Sequence, residues 1–345
     1  KNEEIKKDFK ISKKIKIIYN NDLIEMNLFK RVLDKMHLLF FGKTFILENF
    51  LKKNKIDYIS HTNIATGKNS FCKSLVWIPD FQYLHLPKLF TFKYKIFKKI
   101  NLFLYSRHAY KILLSSNNAK KDLNRISNIP SNKIFVNKFV FSIKNPKYLP
   151  KISQIIKKFK INKNFIFLPN QYWVHKNHIS VLKALKKIGV KTLEKYKIQI
   201  ISTGQNTDYR DLNHFKNLDH FIMTNKLTKF YKYLGLIKFD EVLSLTYYAR
   251  SVLNPSLFEG WSSTVEQAKS YQKHLILSNI GVHKEQNPKY CNYFSPKNFE
   301  KLGTIILNVY KNKNPYKQNF KFKMIEKKIN QKIFNYSKSF CEKIK

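Results

Sequence analysis

The apolar positions in the second half of the chain cluster in runs of about four, too short for buried helices, with helically spaced stretches between them. The runs at 165–168, 199–202, 251–254 and 275–278 read as strands covered on both faces, because their apolar side chains are consecutive rather than alternating. Residues 177–187, 239–249 and 264–271 repeat apolar side chains every third or fourth position and read as helices. This alternation predicts a parallel, doubly wound α/β sheet, with ligands beyond the carboxyl ends of the strands, where Lys176, Gly204 and Glu259 fall. The first half is less regular. Strands are expected at 16–19, 56–60, 74–78, 112–115 and 134–139, and helices at 27–40, 44–53 and 118–126. Pro146 and Pro150 mark a linker within 141–151, dividing the chain into one domain over 1–145 and another over 151–345 that ends in a helix.

The most informative stretch is 254–268. Val252 and Leu253 end an apolar strand, Asn254, Pro255 and Ser256 break it, and Gly260 is expected to let the backbone turn close to a ligand. Beyond Trp261, residues Ser262, Ser263 and Thr264 are N-cap candidates, so unpaired amides of a first helical turn would face whatever lies above this corner. That is the chemistry of an anion site. Glu259 does not suit an anion, but its carboxylate can accept hydrogen bonds from sugar hydroxyls attached to one. The plainer alternative is a carboxylate capping the next helix.

The run 255–269, followed by the apolar strand at 274–278, resembles the donor site of the family 4 retaining glycosyltransferases of the GT-B fold. Three further segments resemble that family in the same order. Residues 77–82 with Leu86 and Pro87 are similar to a cleft-facing loop of one branch, 165–178 to the start of the nucleotide-binding domain, and 234–249 to the segment before the donor corner. The resemblance implies two Rossmann-like domains facing a cleft, the acceptor on the N-terminal side and the nucleotide sugar in the C-terminal domain. It puts Lys176 in the place of the family's phosphate-binding lysine, Glu259 against the donor sugar's hydroxyls and Gln267 where a second glutamate contacts the ribose. Glutamine is a departure, a weaker acceptor than a carboxylate. Glu266, one position earlier, points about 100° away around the helix. Tyr83 is a second departure, standing where that branch has a histidine; His85 is the nearest one. The glycine-rich loop that family members carry after a first strand is missing, so the N-terminal domain is expected to be short at its start.

Composition narrows the classes. With 43% apolar and 15% aromatic residues among 345, the chain can bury two cores, which excludes a disordered polycation despite a formal charge of +44. Its basic residues comprise only five arginines against 61 lysines. Nucleic-acid readers favour arginine at base edges, so nucleic acid is disfavoured as a partner. A codon-biased background and docking on an anionic membrane face both stay open. Between residues 88 and 105, Leu89, Phe92, Ile96, Ile100 and Phe103 line one side of a helix and Lys93, Lys95, Lys98 and Lys99 crowd the rest. Such a helix either lies on an anionic lipid surface or buries its apolar side on the N-terminal domain. Cys72, Cys291 and Cys341 are too scattered for a disulfide framework or a metal site. The scattered cysteines fit a reducing cytoplasm, and no run is long enough to span a bilayer, so a cytoplasmic protein is expected, either soluble or peripheral on the inner face of the cell membrane.

Transfer from a nucleotide sugar requires the departing diphosphate to be stabilised. The chain has no Asp-x-Asp pair, so basic side chains and helix amides are expected in place of a metal ion. Lys176, Arg250 and the amides after Gly260 are the candidates, with Gly204 and Trp261 also at the donor. No cofactor is expected besides the nucleotide-sugar donor, whose base stays open. Asp80 is a candidate base or hydroxyl-orienting group, or else a turn residue after Pro79. His85 is a candidate partner of the donor sugar, or structural. The reaction implied is retaining transfer to a glycan or lipid-linked glycan in cell-surface polysaccharide or lipopolysaccharide synthesis. A degenerate glycosyltransferase-like protein and a basic membrane or nucleic-acid binding module are the rivals.

Overall fold

The computed structural model describes residue 18 and residues 27–312 and 322–344; most of the strand expected at 16–19 lies outside them. The chain forms two compact units, 1–76 with 101–111 and 77–100 with 112–345. In the first, α1 (Leu28–Phe41) and α2 (Ile46–Lys53) precede β1 (Tyr58–Thr62) and β2 (Lys73–Ile78), which pair in parallel. Asn27 Oδ1 caps α1 by accepting from Lys30 N at 2.9 Å, and Gly42 ends it at φ 69°. The next helix, α3 (Phe92–His108), corrects one alternative of the sequence reading. Phe92, Ile96, Ile100 and Phe103 are exposed, and the helix buries Asn101, Leu104 and His108 instead. The buried edge is set by the i, i+4 pair Leu104 and His108, not by the more continuous apolar stripe.

In the second unit, β3 (Lys111–Leu114) and β4 (Ile134–Val136) pair in parallel across α4 (Asn117–Ile126). The remaining strands form one six-stranded sheet: β5 (Ile166–Pro169), β6 (Ile200–Thr203), β7 (Tyr231–Tyr233), β8 (Ser251–Asn254), β9 (Leu275–Ser278) and β10 (Cys291–Phe294). Its order is β10-β9-β8-β5-β6-β7, and every pairing in it is parallel. The helices of eight or more residues that follow, among the described residues, are α5 (Ile152–Phe159), α6 (His178–Ile188), α7 (His214–Thr224), α8 (Phe239–Tyr248), α9 (Ser263–Ser270), α10 (Phe299–Lys311) and α11 (Phe322–Ile344).

Successive side chains around β5 serve opposite faces. Ile166 and Leu168 pack with Val181, Leu182 and Leu185 of α6 and Leu302 and Ile306 of α10, whereas Phe165 and Phe167 pack with Ile155 of α5, Leu245 of α8 and Val265 and Ala268 of α9. Each such side chain, removed from water, contributes roughly 1.5–3 kcal/mol. The two faces together fix the sheet as the middle of three layers. Growth outward from β5 to β7 and then back to β8 creates a topological switch between β5 and β8, and a crevice opens beyond their carboxyl ends.

Candidate functional site

The loops after β5, β6 and β8 build the crevice. Around the last, buried side chains form a hydrogen-bonded knot. Asn254 Nδ2 donates to Ser262 Oγ at 2.9 Å and to Glu259 Oε1 at 3.3 Å, while its Oδ1 accepts from Ser256 Oγ at 2.6 Å and from Asn170 Nδ2 at 3.1 Å. Leu257 N donates to the His175 carbonyl at 2.8 Å. Asn177, at φ 58°, donates from Nδ2 to the Pro255 and Pro296 carbonyls, each at 3.0 Å. These bonds lock the β5 and β8 loops together and set Lys176 against Glu259, Nζ to Oε1 at 2.7 Å, with side chains 13% and 8% exposed.

Burial alone would push the Glu259 carboxyl up, but the Lys176 ammonium, then His283 and the hydrogen bonds from Lys176 and Ser256, hold it down at about 2. It is therefore ionised throughout the neutral range, an acceptor and counter-charge rather than a proton donor. The neighbouring His175 is pushed down to about 3, first by burial and then by Lys176, so it is neutral. Asp80 is shifted up, chiefly by burial, while accepting from Gln82 N at 2.9 Å; the turn role and the exposed-to-site role thus coexist.

Ser262 caps α9, its Oγ accepting from Val265 N at 3.4 Å. The start of α9 opens on a cavity of about 420 Å³, whose walls include Gly204, Lys176 and Glu259 on the polar side and Leu236, Ile237 and Val242 on the apolar side. Gln267 lines it, is buried, and has no side-chain partner among the described residues. Glu266 turns away, accepting from Gln286 Nε2 at 2.9 Å and Lys269 Nζ at 3.0 Å. Gly204 is required at φ 142°, and a Cβ there would also lie 2.6 Å from the Asn170 carbonyl.

A second cavity of about 340 Å³ shares Trp173, Lys176, Glu259 and Trp261 with the first and adds Asp80 and Arg210. Gly260 borders it, with a correction: it has no left-handed φ, and glycine is needed because a Cβ would sit 2.7 Å from the Pro79 carbonyl and 3.3 Å from Asp80 Oδ2. A third cavity, about 310 Å³, lies beside Asp80, Glu259 and Gly260 and holds His85, whose Nε2 is 2.7 Å from Asp122 Oδ2 and whose ring lies 5.0 Å from that of Phe258.

Arg250 is the sequence candidate that does not reach the site. It precedes β8 and so lies at the amino end of that strand, where Nε donates to the Val309 carbonyl at 2.6 Å and Nη2 to the Asn312 carbonyl. Its guanidinium anchors the end of α10. Arg210, which the sequence reading missed, lies in the loop after β6. Its Nε and Nη2 bind Asp208 Oδ1 and Oδ2 at 2.8 and 3.0 Å, and Nη1 donates to Gln82 Oε1 at 3.1 Å. An arginine at a carboxyl end, in a chain that otherwise uses lysine, was the available signal.

No protein-family model and no curated protein sequence matches the chain. Among solved structures it superposes on a glycosyltransferase from Rickettsia africae ESF-5 with a TM-score of 0.61 and 17% identity, over 93% of this chain and 80% of that one. Anabaena Alr3699/HepE in complex with UDP and glucose gives a TM-score of 0.61 and 15% identity, over 84% and 81%. The sucrose-phosphate synthase (tll1590) from Thermosynechococcus elongatus gives 0.59 and 13%, over 86% and 77%. The fold is GT-B. Identities this low carry the GT-B architecture and leave the chemistry to the residues themselves. Among the described residues of the GT-B chain, no group of three or more His, Cys, Asp or Glu is placed to hold a metal ion, and no helix is long and apolar enough to cross a membrane.

Proposed function

We propose that this chain is a retaining, metal-independent glycosyltransferase that takes its sugar from a nucleoside diphosphate and passes it to a glycan or lipid-linked glycan, in the manner of family 4, during cell-surface polysaccharide or lipopolysaccharide synthesis. The carrying observation is the order of groups along the first cavity: the partnerless Gln267 amide for a ribose, the α9 amides and Lys176 for a diphosphate, and the ionised Glu259 for the hydroxyls of the sugar. Anabaena HepE, of the same fold, was solved with UDP and with UDP-glucose, which supports this assignment.

As the bond from the anomeric carbon to the diphosphate breaks, negative charge grows on the departing oxygen and positive charge on the sugar. Lys176 and the α9 amides stabilise the first, and Glu259 the second. Asp80, made more basic by burial, accepts the proton of the attacking hydroxyl. The exposed Phe92, Ile96, Ile100 and Phe103 among lysines support docking on an anionic membrane face, where a lipid-linked acceptor would be met. The test is release of nucleoside diphosphate from UDP-, GDP-, ADP- and CDP-sugars with and without EDTA. Glu259→Ala should abolish turnover of whichever donor is used; unchanged turnover would refute the donor-site assignment.

A further inference from the structure

Helix α1 carries its apolar stripe on the outside. Leu28, Phe29, Val32, Leu33, Met36 and Phe40 fall within an arc of about 140°, at 100° per residue. All six are exposed, from 46% for Val32 to 79% for Leu28. A surface helix ordinarily buries such an arc. Here the edge turned to the protein holds Leu38, the one buried residue of the helix. Hydrogen bonds on that edge fix the rotation. Asp34 Oδ1 accepts from Phe45 N at 2.8 Å and from Ile46 N at 3.1 Å, at the start of α2, and His37 Nδ1 donates to the Lys43 carbonyl at 2.7 Å. The outward setting of the arc is thus imposed by polar contacts and is not a matter of loose packing.

Charge then selects what the arc meets. Lys30 and Arg31 are exposed and flank it, each about 60° beyond one edge. Asp34 is the only acid in α1 and is already engaged with α2, and α3 contains no acid. Lys35 Nζ lies 3.4 Å from Asn101 Oδ1 of α3, which places α1 next to the part of α3 where Phe103 is exposed with the Arg107 guanidinium 5.0 Å from its ring centre. An apolar arc flanked by cations and unopposed by acids suits an anionic lipid surface: the aromatic and aliphatic groups reach the acyl boundary while the cationic heads stay at the phosphates. A second copy of the chain fits poorly. A two-fold dimer sets the same patch against itself and would bring the cations of α1 face to face.

We propose that α1 is an interfacial anchor that lies in the headgroup layer of an anionic phospholipid bilayer and inserts Phe29 and Phe40. This deepens the docking part of the proposed function, which rested on α3, and rests on that reading for the membrane itself. Its test contains no nucleotide or sugar, so failure leaves the donor-site experiments untouched.

The purified full chain would be sedimented with sucrose-loaded vesicles of phosphatidylcholine, with and without about one third phosphatidylglycerol, at about 0.15 M and about 0.5 M salt. Binding to the anionic vesicles should persist at both salts. Phe29→Ser/Phe40→Ser should weaken it about tenfold or more at both, whereas Phe29→Leu/Phe40→Leu should stay within about threefold of the parent. Both variants should keep the parent's circular dichroism and urea midpoint, because the replaced side chains are exposed. Binding that vanishes at the higher salt and is unchanged in the serine variant would be adsorption of the +44 charge alone and would overturn the proposal. So would an absence of binding. Binding lost only in Phe92→Ser/Phe103→Ser would place docking on α3 and overturn the role of α1 while the membrane reading stands. A dimer seen by sedimentation equilibrium without lipid, and dissociated in the serine variant, would assign the arc to a second copy instead.

Discussion

Removing the Lys176 ammonium should expose how much of the site's stability rests on one buried ion pair. Glu259 Oε1 receives Lys176 Nζ at 2.7 Å, Ser256 Oγ at 2.7 Å and Asn254 Nδ2 at 3.3 Å, and the residue is 9% exposed. In Lys176→Met the carboxylate loses its ion-pair partner, the only one among the described residues, while keeping two neutral donors. Breaking a buried pair from one side costs about 3–5 kcal/mol, and the surviving donors place this case at the low end, near 3 kcal/mol. The proton linkage gives the same size. Glu259 is held at about 2 against a usual carboxylate value near 4.5, so its contribution is complete above about pH 4.5, is lost as pH falls toward 2, and amounts to about 3 kcal/mol at 1.36 kcal/mol per unit. Without Lys176 the leading effect left on Glu259 is burial, which raises its pKa, so the penalty should shrink on acidification. Glu259→Gln in the Lys176→Met background should recover about 2 kcal/mol, because no uncompensated charge remains. The assay is urea unfolding at pH 7 and pH 4.5, followed by tryptophan emission, for the four members of the cycle. A penalty under about 1 kcal/mol at pH 7, or additive single and double variants, would refute the argument.

Three further outcomes follow from the same geometry. His175 and His178 are pushed down to about 3 and His274 to about 4, each first by burial, so each contributes stability that is complete above the usual histidine value near 6.5 and is lost as pH falls toward those values; the unfolding free energy from urea titrations should fall by up to about 4 kcal/mol per pH unit below about pH 6 if all three act, and a flat profile from pH 7 to 5 would contradict their burial as neutral rings. Arg250→Ala should cost about 1–3 kcal/mol of stability through the lost bonds to Val309 and Asn312, with nucleotide affinity within about twofold of the parent by calorimetry; a tenfold loss of affinity would return Arg250 to the site. Gln267→Glu should tighten nucleotide binding by about fivefold, since a ribose hydroxyl donates more strongly to a carboxylate than to an amide; a deoxyribonucleotide should lose that gain, and an equal gain for both would place Gln267 away from the ribose.

Residues 165–168, 251–254 and 275–278 were legible as strands because central parallel strands are buried on both faces and carry consecutive apolar side chains. β7 and β10 escaped the same reading for a physical reason: they are the two edges of the sheet, Tyr-Lys-Tyr and Cys-Asn-Tyr-Phe, short and partly polar as edge strands tend to be. The donor corner was legible because its chemistry is contiguous, from Asn254 through the cap at Ser262. Arg250 was misplaced because adjacency to a strand was weighed without asking which end it lies at. Arg210 and Trp173 come from loops distant in sequence from the donor corner, and only the sheet order brings them to Glu259.

The most direct measurement of the central claim is calorimetric titration of the chain with UDP, GDP, ADP and CDP at moderate salt, each with and without EDTA. The geometry predicts selective binding of one nucleotide that survives EDTA and is weakened in Lys176→Met. Equal binding of all four, or binding removed by salt alone, would mean that the net charge of +44 and not the corner beneath α9 governs ligand binding, and would contradict the account.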